Sequence, residues 1–237
     1  MTLSAILFGS IGTLVETSEH QRAAFNRAFR DSGLDWNWDQ NTYRELLSSS
    51  GGAQRITSYA KTRGEEVDAN EVHRLKTQHF NSGMEIGGLK PRPGVLEIMR
   101  WAAKEGVKTA FVTSTSRDNI EITFKALGNT LTESDFNLVT NAAMTAAPKP
   151  APDIYNLALE KLGISASEAV AVEDTATSLQ SPLAAQIATV AFPGANSLGQ
   201  NYGHAAAVVD RLSVEVITSI LLSGDAAGAD DRRVAAG

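Results

Sequence analysis

Residues 5–17 read AILFGSIGTLVET, a short apolar run that passes directly into a Gly-Thr turn. Unbroken apolarity over Ala5–Phe8 suits a central parallel strand covered on both faces, because a strand with one wet face would alternate. In an open α/β sheet the chemistry sits just beyond the carboxyl ends of the strands. The exit of this strand carries Gly9 and Ile11, neither of which holds a reactive group.

Working outward, residues 17–88 have helical texture without a strand signal. The stretch EHQRAAFNRAFRDSG places Ala23, Ala24, Phe25, Ala28 and Phe29 at helical spacing and stops at Gly33. NTYRELLSSS, AQRITSYAKTRG and NEVHRLKTQHFNSGME read as further helices. After GLKPRPG, helices alternate with the apolar runs VKTAFVT, FNLVT, EAVAVED, IATVAF and AAAVV. Such alternation implies right-handed crossovers and a parallel sheet. The expected fold is therefore α/β: a doubly wound, Rossmann-like parallel sheet from residues 1–16 and 89–223, an inserted all-helical cap at 17–88, and a disordered tail at 224–237. Pro182 falls inside an expected helix, which should be shortened or kinked there.

The chain has 237 residues, 43% of them hydrophobic, and 27 acidic against 21 basic residues give a net charge of −6. That balance argues against nucleic-acid binding, which draws on Lys and Arg. The absence of cysteine excludes thiolate catalysis and Cys-ligated metals. AILF is too short for a signal peptide or a membrane span, so a cytoplasmic protein without membrane contact is expected.

Beyond the strand ends, parallel topology brings together Gly9–Thr13, Thr113 and Ser114, Lys149 in APKPAPD, and Glu173 with Asp174. Hydroxyls, a lysine fixed in a Pro-rich loop and two acids match the needs of a phosphate and a magnesium ion. For the acid pair the structural alternative is ion pairing or capping of the next helix. Trp36 and Trp38 read as packing residues, and His73, His79 and His204 as ordinary surface or cap residues. AFPGANSLGQNYGH lacks phosphate-loop spacing and reads as a loop.

These pieces resemble the haloacid-dehalogenase superfamily of phosphohydrolases: ILFGSIGTLVET for its first motif, Thr113 for the second, Lys149 in KPAPDIY for the third and VEDT for the fourth. NWDQNTYRELLSSSGGAQRI and KPAPDIYNLALEKL resemble its CbbY branch, whose members remove a phosphate from xylulose-type bisphosphates. The resemblance implies a Mg2+ site at Glu173 and Asp174, phosphate contacts from Gly12, Thr13, Thr113, Ser114 and Lys149, and substrate contacts from Glu16, His20, Gly51, Gly52 and Arg55. Family members read FDxDGT where this chain reads FGSIGT, so Gly9 and Ile11 stand at the positions of the nucleophilic and the acid/base aspartates. GGKER has become GGAQR, the cap histidine position holds Gln21 with His20 one place away, and Ser178 and Gln186 stand at glycine positions.

No catalytic residue of the family mechanism is intact. Ser10, by strand alternation, should point away from the direction shared by positions 9 and 11. The leading expectation is a catalytically impaired or inactive sugar-phosphatase relative that still takes a phosphorylated small molecule, with a weakened Mg2+ site and no defined protein partner. The alternatives are a working hydrolase with a rewired nucleophile and an interaction scaffold with a vestigial pocket.

Overall fold

The computed structural model describes residues 2–47 and 51–220. The expected tail at 224–237 and residues 48–50 of the NTYRELLSSS segment lie outside them.

Six strands form one wholly parallel sheet in the order β3-β2-β1-β4-β5-β6. They are β1 (Ala5–Phe8), β2 (Lys108–Phe111), β3 (Leu138–Val139), β4 (Ala169–Glu173), β5 (Ala188–Ala191) and β6 (Ala207–Val208). β1 lies between β2 and β4, with Phe8 level with Phe111 on one side and Val172 on the other. Its four residues are fully buried, as their unbroken apolarity requires.

Alternate residues of β1 face opposite layers. Ala5 and Leu7 pack with Ile154, Tyr155 and Ala158 of α8 (Asp153–Leu162). Ile6 and Phe8 join Ile98 and Ala102 of α6 (Val95–Glu105), Ile120 and Phe124 of α7 (Arg117–Leu127), and Ile217 of a last helix at 214–220. This is the doubly wound architecture expected from the alternating texture.

Between β1 and α6 the chain forms α1 (Ile11–Leu14), α2 (Ser18–Asp31), α3 (Gln40–Leu46), α4 (Gly52–Arg63) and α5 (Ala69–Gly87). Helices α2–α5 gather their own apolar cluster, in which Phe25, Phe29, Trp36, Trp38, Tyr43 and Ile56 are buried. Trp38 lies 4.7 Å from Phe29 and 4.8 Å from Phe25, ring centre to ring centre, so both tryptophans of DWNWD are packing residues. The chain leaves the sheet layer at Val15 and returns at Pro91, and these two residues form an isolated antiparallel bridge.

Arg92, next to that bridge, is buried and donates to the carbonyls of Gly12 (2.8 Å), Phe192 (2.6 Å) and Pro193 (2.5 Å). Its guanidinium also stacks 3.4 Å from the centre of the Phe192 ring. One side chain thus ties the β1 exit to the β5 exit. Burial lowers the pKa of this arginine, with Glu16 and Asp174 opposing the shift.

Helix α9 (Ala176–Ala184) runs through Pro182 and ends two residues later. Thr175 caps its first turn, and ladder bonding resumes beyond the proline, from Ala185 N–H to the Ser181 carbonyl and from Ile187 N–H to the Pro182 carbonyl. Gln186 then turns with φ = 60°, a left-handed conformation that favours glycine. This accounts physically for the family glycine at that position.

Candidate functional site

A cavity of about 500 Å³ opens between the carboxyl ends of the strands and the inner face of α2–α5. On the sheet side its wall includes Gly9, Ser10, Ile11, Gly12, Thr113, Ser114, Lys149 and Asp174. The helical side contributes Gln21, Phe25, Tyr43, Gly52, Arg55, His73 and Lys76. Of the residues expected at a site, Thr13, His20, Gly51 and Glu173 are not part of this wall.

Each of these four has a local reason. The Thr13 hydroxyl is buried and donates to the Ser10 carbonyl (2.7 Å), so it closes the first turn of α1. His20 is exposed, while Gln21 faces the cavity and accepts from Lys76. The one-residue displacement read in the sequence therefore carries the histidine about 100° away from the wall. Gly51 is exposed as the residue preceding α4. Glu173 lies fully buried beneath the floor.

Gly9 explains where Glu173 went. A Cβ placed on Gly9 would collide with Glu173 Oε1 and with the Tyr155 hydroxyl. The carboxylate of β4 thus fills the space in which a residue-9 side chain would begin. Glu173 Oε1 accepts from Lys149 Nζ (2.6 Å) and from Tyr155 Oη (2.7 Å). Lys149 also donates to the Val112 carbonyl (2.7 Å) and to the Gly9 carbonyl, and it lies 4.8 Å from the centre of the Tyr155 ring. Burial and the Glu173 charge hold the Tyr155 phenol well above its ordinary pKa, so it is a hydrogen-bond donor at neutral pH. The structural alternative for Glu173, an ion pair, is the one found.

Asp174 is held differently. Its Oδ1 accepts from Ser10 Oγ at 2.7 Å and from Ser178 Oγ at 3.4 Å, and its Oδ2 occupies the place a Cβ on Gly12 would need. Burial, then the neighbouring Glu173 charge, raises the pKa of Asp174. The expected direction of Ser10 is corrected here. β1 ends at Phe8 and α1 begins at Ile11, so strand alternation does not reach residue 10, and Ser10 turns into the site as the residue preceding α1.

The implied magnesium ion can be tested against these donors. Mg2+ needs near-octahedral oxygen ligation, commonly from one or two carboxylates with water and substrate phosphate. Glu173 Oε1 is committed to an ammonium and a phenol, and Oε2 is buried without a hydrogen-bond partner. Asp174 Oδ1 is committed to two hydroxyls. Among the described residues no group of three His, Asp or Glu side chains is arranged to hold a metal. As placed, Glu173 is turned into the interior and Asp174 is the member of the pair that faces the cavity, so the pair offers the ion one carboxylate rather than the two that the resemblance implies.

On the helical side, Lys76 of α5 is buried, with Nζ 5.1 Å from the Phe25 ring centre and 4.9 Å from that of Phe80. Burial, reinforced by the Arg55 charge, lowers its pKa to about 8. Arg55 of α4, also buried, donates to the Leu46 carbonyl (2.9 Å) and lies 5.8 Å from the Tyr43 ring centre. His73, one turn before Lys76, packs over Gly52, and burial followed by the Lys76 and Arg55 charges lowers its pKa. Among the described residues no carboxylate lines this side of the cavity. HRLKTQHF places His73, Lys76 and Phe80 on one helical face; His73, expected as a surface or cap residue, and Lys76, which carries no motif, both lie on the cavity wall.

The loop after β5 completes the rim. Glu16 Oε2 accepts from Ala195 N–H (2.7 Å) and Oε1 from Ser18 N–H (2.8 Å), while Arg44 donates to the Ala195 carbonyl (3.0 Å) and Asn196 to Glu19 (2.7 Å). AFPGANSLGQNYGH thus supplies Gly194, Asn196 and Ser197 to the wall without a phosphate-loop motif. No helix among the described residues is long and apolar enough to cross a membrane.

A parallel sheet of this order, with lysine, threonine and acidic residues at its strand exits beneath an inserted helical block, defines a haloacid dehalogenase-like hydrolase. The model of that family matches residues 6–192, and the chain belongs to it. Within it the chain is similar to protein CbbY of Cereibacter sphaeroides, 35% identical over 214 residues that cover 89% of this chain and 93% of the relative. It is also similar to a CBBY-like protein of Arabidopsis thaliana, 32% identical over 87% of this chain and 68% of the relative. A crystal structure of CbbY from Rhodobacter sphaeroides with phosphate superposes with a TM-score of 0.79 at 33% identity, covering 93% of this chain and 99% of the other. A mutant of the same protein in complex with xylulose-(1,5)bisphosphate gives a TM-score of 0.77 at 34% identity, covering 89% and 95%.

Proposed function

We propose that this protein binds phosphorylated sugars on a phosphatase fold without running the hydrolytic cycle of its relatives. The observation that carries this reading is the β1 exit, where Gly9 and Ile11 present no carboxylate to the cavity. Among the described residues the acids on the wall are Glu16 and Asp174. Both Glu16 oxygens are engaged by backbone N–H groups, and Asp174 is held against Gly12 by Ser10. Loss of a positioned general acid and base alone slows such chemistry by roughly 10² to 10⁴, about 3 to 5.5 kcal/mol, before the missing covalent route is counted. Thr113 and Ser114, the cations Arg55 and Lys76 and the His73 imidazole support ligand binding, and the similarity to a protein crystallised with a sugar bisphosphate supports the ligand class.

The test is calorimetric titration with xylulose 1,5-bisphosphate and inorganic phosphate, run beside a phosphatase assay with magnesium. Binding without phosphate release is the expected result. Magnesium-dependent turnover that disappears in Asp174→Ala would overturn the reading.

One contact favours a second reading, a hydrolase with a rewired nucleophile: the Ser10 hydroxyl on the cavity wall, 2.7 Å from Asp174 Oδ1. In that case Ser10 Oγ attacks phosphorus as its proton passes to Asp174, and the sugar oxygen leaves with that proton. A phosphoryl adduct on Ser10, seen by peptide mass spectrometry and absent in Ser10→Ala, distinguishes it from simple binding.

A further inference from the structure

A lysine ammonium in a folded protein normally stands in water or against a carboxylate. Among the described residues Lys76 of α5 finds neither. It is 8% exposed and lies on the cavity wall, beside the rings of Phe25 and Phe80, and its hydrogen-bond acceptor is the side-chain carbonyl of Gln21. Lys149, on the sheet side of the same wall, is the opposite case. Its three N–H donors meet the carbonyls of Gly9 and Val112 and the Glu173 carboxylate, which leaves the nitrogen nothing to offer a ligand.

In its neutral form Lys76 donates an N–H to Gln21 and keeps a lone pair on Nζ. Burial, then the Arg55 charge, lowers its pKa to about 8. At pH 7 it therefore holds roughly 300-fold more free amine than a lysine at its ordinary 10.5. The titratable or charged groups that act on it are Arg55 from α4 and His73 from α5, and α2 presents Gln21 and Phe25. A desolvated amine on the wall of a ligand cavity is a nucleophile toward carbonyl carbon.

The ligand class proposed above supplies such a carbon. A ketose esterified at both ends, such as xylulose 1,5-bisphosphate, has no free hydroxyl far enough from its ketone to close a stable ring. Its carbonyl therefore stays open.

We infer that Lys76 holds an open-chain sugar ester covalently, as a reversible imine between Nζ and the ligand's carbonyl carbon. This rests on the phosphorylated-ligand reading and adds a bond that binding alone does not require. The Nζ lone pair attacks the carbonyl carbon, the C=O π pair moves to oxygen, and one amine proton follows it to give a carbinolamine. The nitrogen pair then forms C=N as that oxygen leaves with the second amine proton, so the products are the imine and one water. Nothing is oxidised or reduced, and water reverses the step.

The native protein is incubated with xylulose 1,5-bisphosphate and sodium cyanoborohydride, which reduces an imine to a stable secondary amine, and the modified lysines are mapped by peptide mass spectrometry. Lys104, whose side chain is 82% exposed, serves as the internal comparison. The lower basicity of Lys76 takes back part of its advantage in free amine, so its labelling should exceed that of Lys104 by about tenfold or more. Labelling should saturate with ketose concentration, quicken as pH rises toward 8, and lose its preference for Lys76 in urea. The corresponding pentitol bisphosphate, which lacks the carbonyl, should bind, leave no adduct and block labelling by the ketose.

Calorimetry on the same two esters separates the outcomes. Binding of both without preferential labelling of Lys76 would overturn the inference and leave the ligand reading in place. Labelling of Lys76 that neither saturates nor yields to the pentitol ester would also overturn it. Neither binding nor labelling would overturn both.

Discussion

Glu173 Oε1 stands in the volume that a side chain on Gly9 would enter, so these two residues, one just past the end of β1 and the other the last of the adjacent β4, are mutually exclusive occupants of one space. A carboxylate is still present at the β1 exit, but it comes from β4 and its role is to pair with Lys149.

That exclusion makes the pair energetically coupled. Gly9→Ala should destabilise the protein by about 1 to 3 kcal/mol through overpacking against Glu173 and Tyr155. In a Glu173→Ala background the same change should cost less, because the obstructing carboxylate is gone. Urea denaturation of the four proteins in this cycle measures the coupling.

Tyr155 supplies one of the two side-chain donors to Glu173 Oε1, while Oε2 has none. Tyr155→Phe keeps the ring and removes the donor, and should cost about 1.5 to 3 kcal/mol, the range for hydrogen bonds to charged groups. Thermal and chemical denaturation of the two proteins provide the comparison.

Lys76 sets a pH dependence. Its pKa in the folded protein, lowered to about 8 from 10.5, means that the unfolded chain holds more protons across that interval. Stability should therefore rise as pH increases from about 8 to 10.5 and level off above, since ∂ΔG/∂pH is positive where the unfolded state binds the extra proton. Lys76→Met should remove the rise and stabilise the protein at pH 7. Anion affinity should move the other way, falling above pH 8 as the ammonium is lost, and calorimetry against pH tests it.

Arg92 satisfies three carbonyls at once. Arg92→Ala should cost about 3 kcal/mol or more, given about 1 to 3 kcal/mol for each buried group left without a partner. Arg92→Lys should recover only part of this, because an ammonium cannot reproduce the planar fork or the stacking on Phe192. Urea midpoints of the three proteins rank the effect.

The parallel sheet and the helical block were legible because their signals are local and repeated: AILF, VKTAFVT and EAVAVED are apolar runs, and the α2 pattern has helical period. The loss at positions 9 and 11 was legible because each is a single residue type in a motif. What filled the loss was not, since Glu173 reaches Gly9 only through strand pairing across 164 residues of chain between equivalent sites such as Ser10 and Asp174. The direction of Ser10 was misjudged for a different reason: the turn into α1 interrupts the alternation from which it was argued. Lys76 carried no signal of its own, because a charged residue on an amphipathic helix reads as solvated until the partner surface is known; His73, read as a surface or cap residue, lies on the helical side of the wall. Thr13 shows the converse, a motif threonine whose hydroxyl serves the backbone turn.

The cations of the cavity ride on α4 and α5, while the lysine of the sheet is internally balanced. If the cavity takes an anion as proposed, the attraction originates in the lid of the chamber rather than its floor. Capture should slow as ionic strength rises, in proportion to charges borne by those two helices, and whatever arrives will be felt first by the part of the protein joined to the sheet through the Val15 and Pro91 crossings.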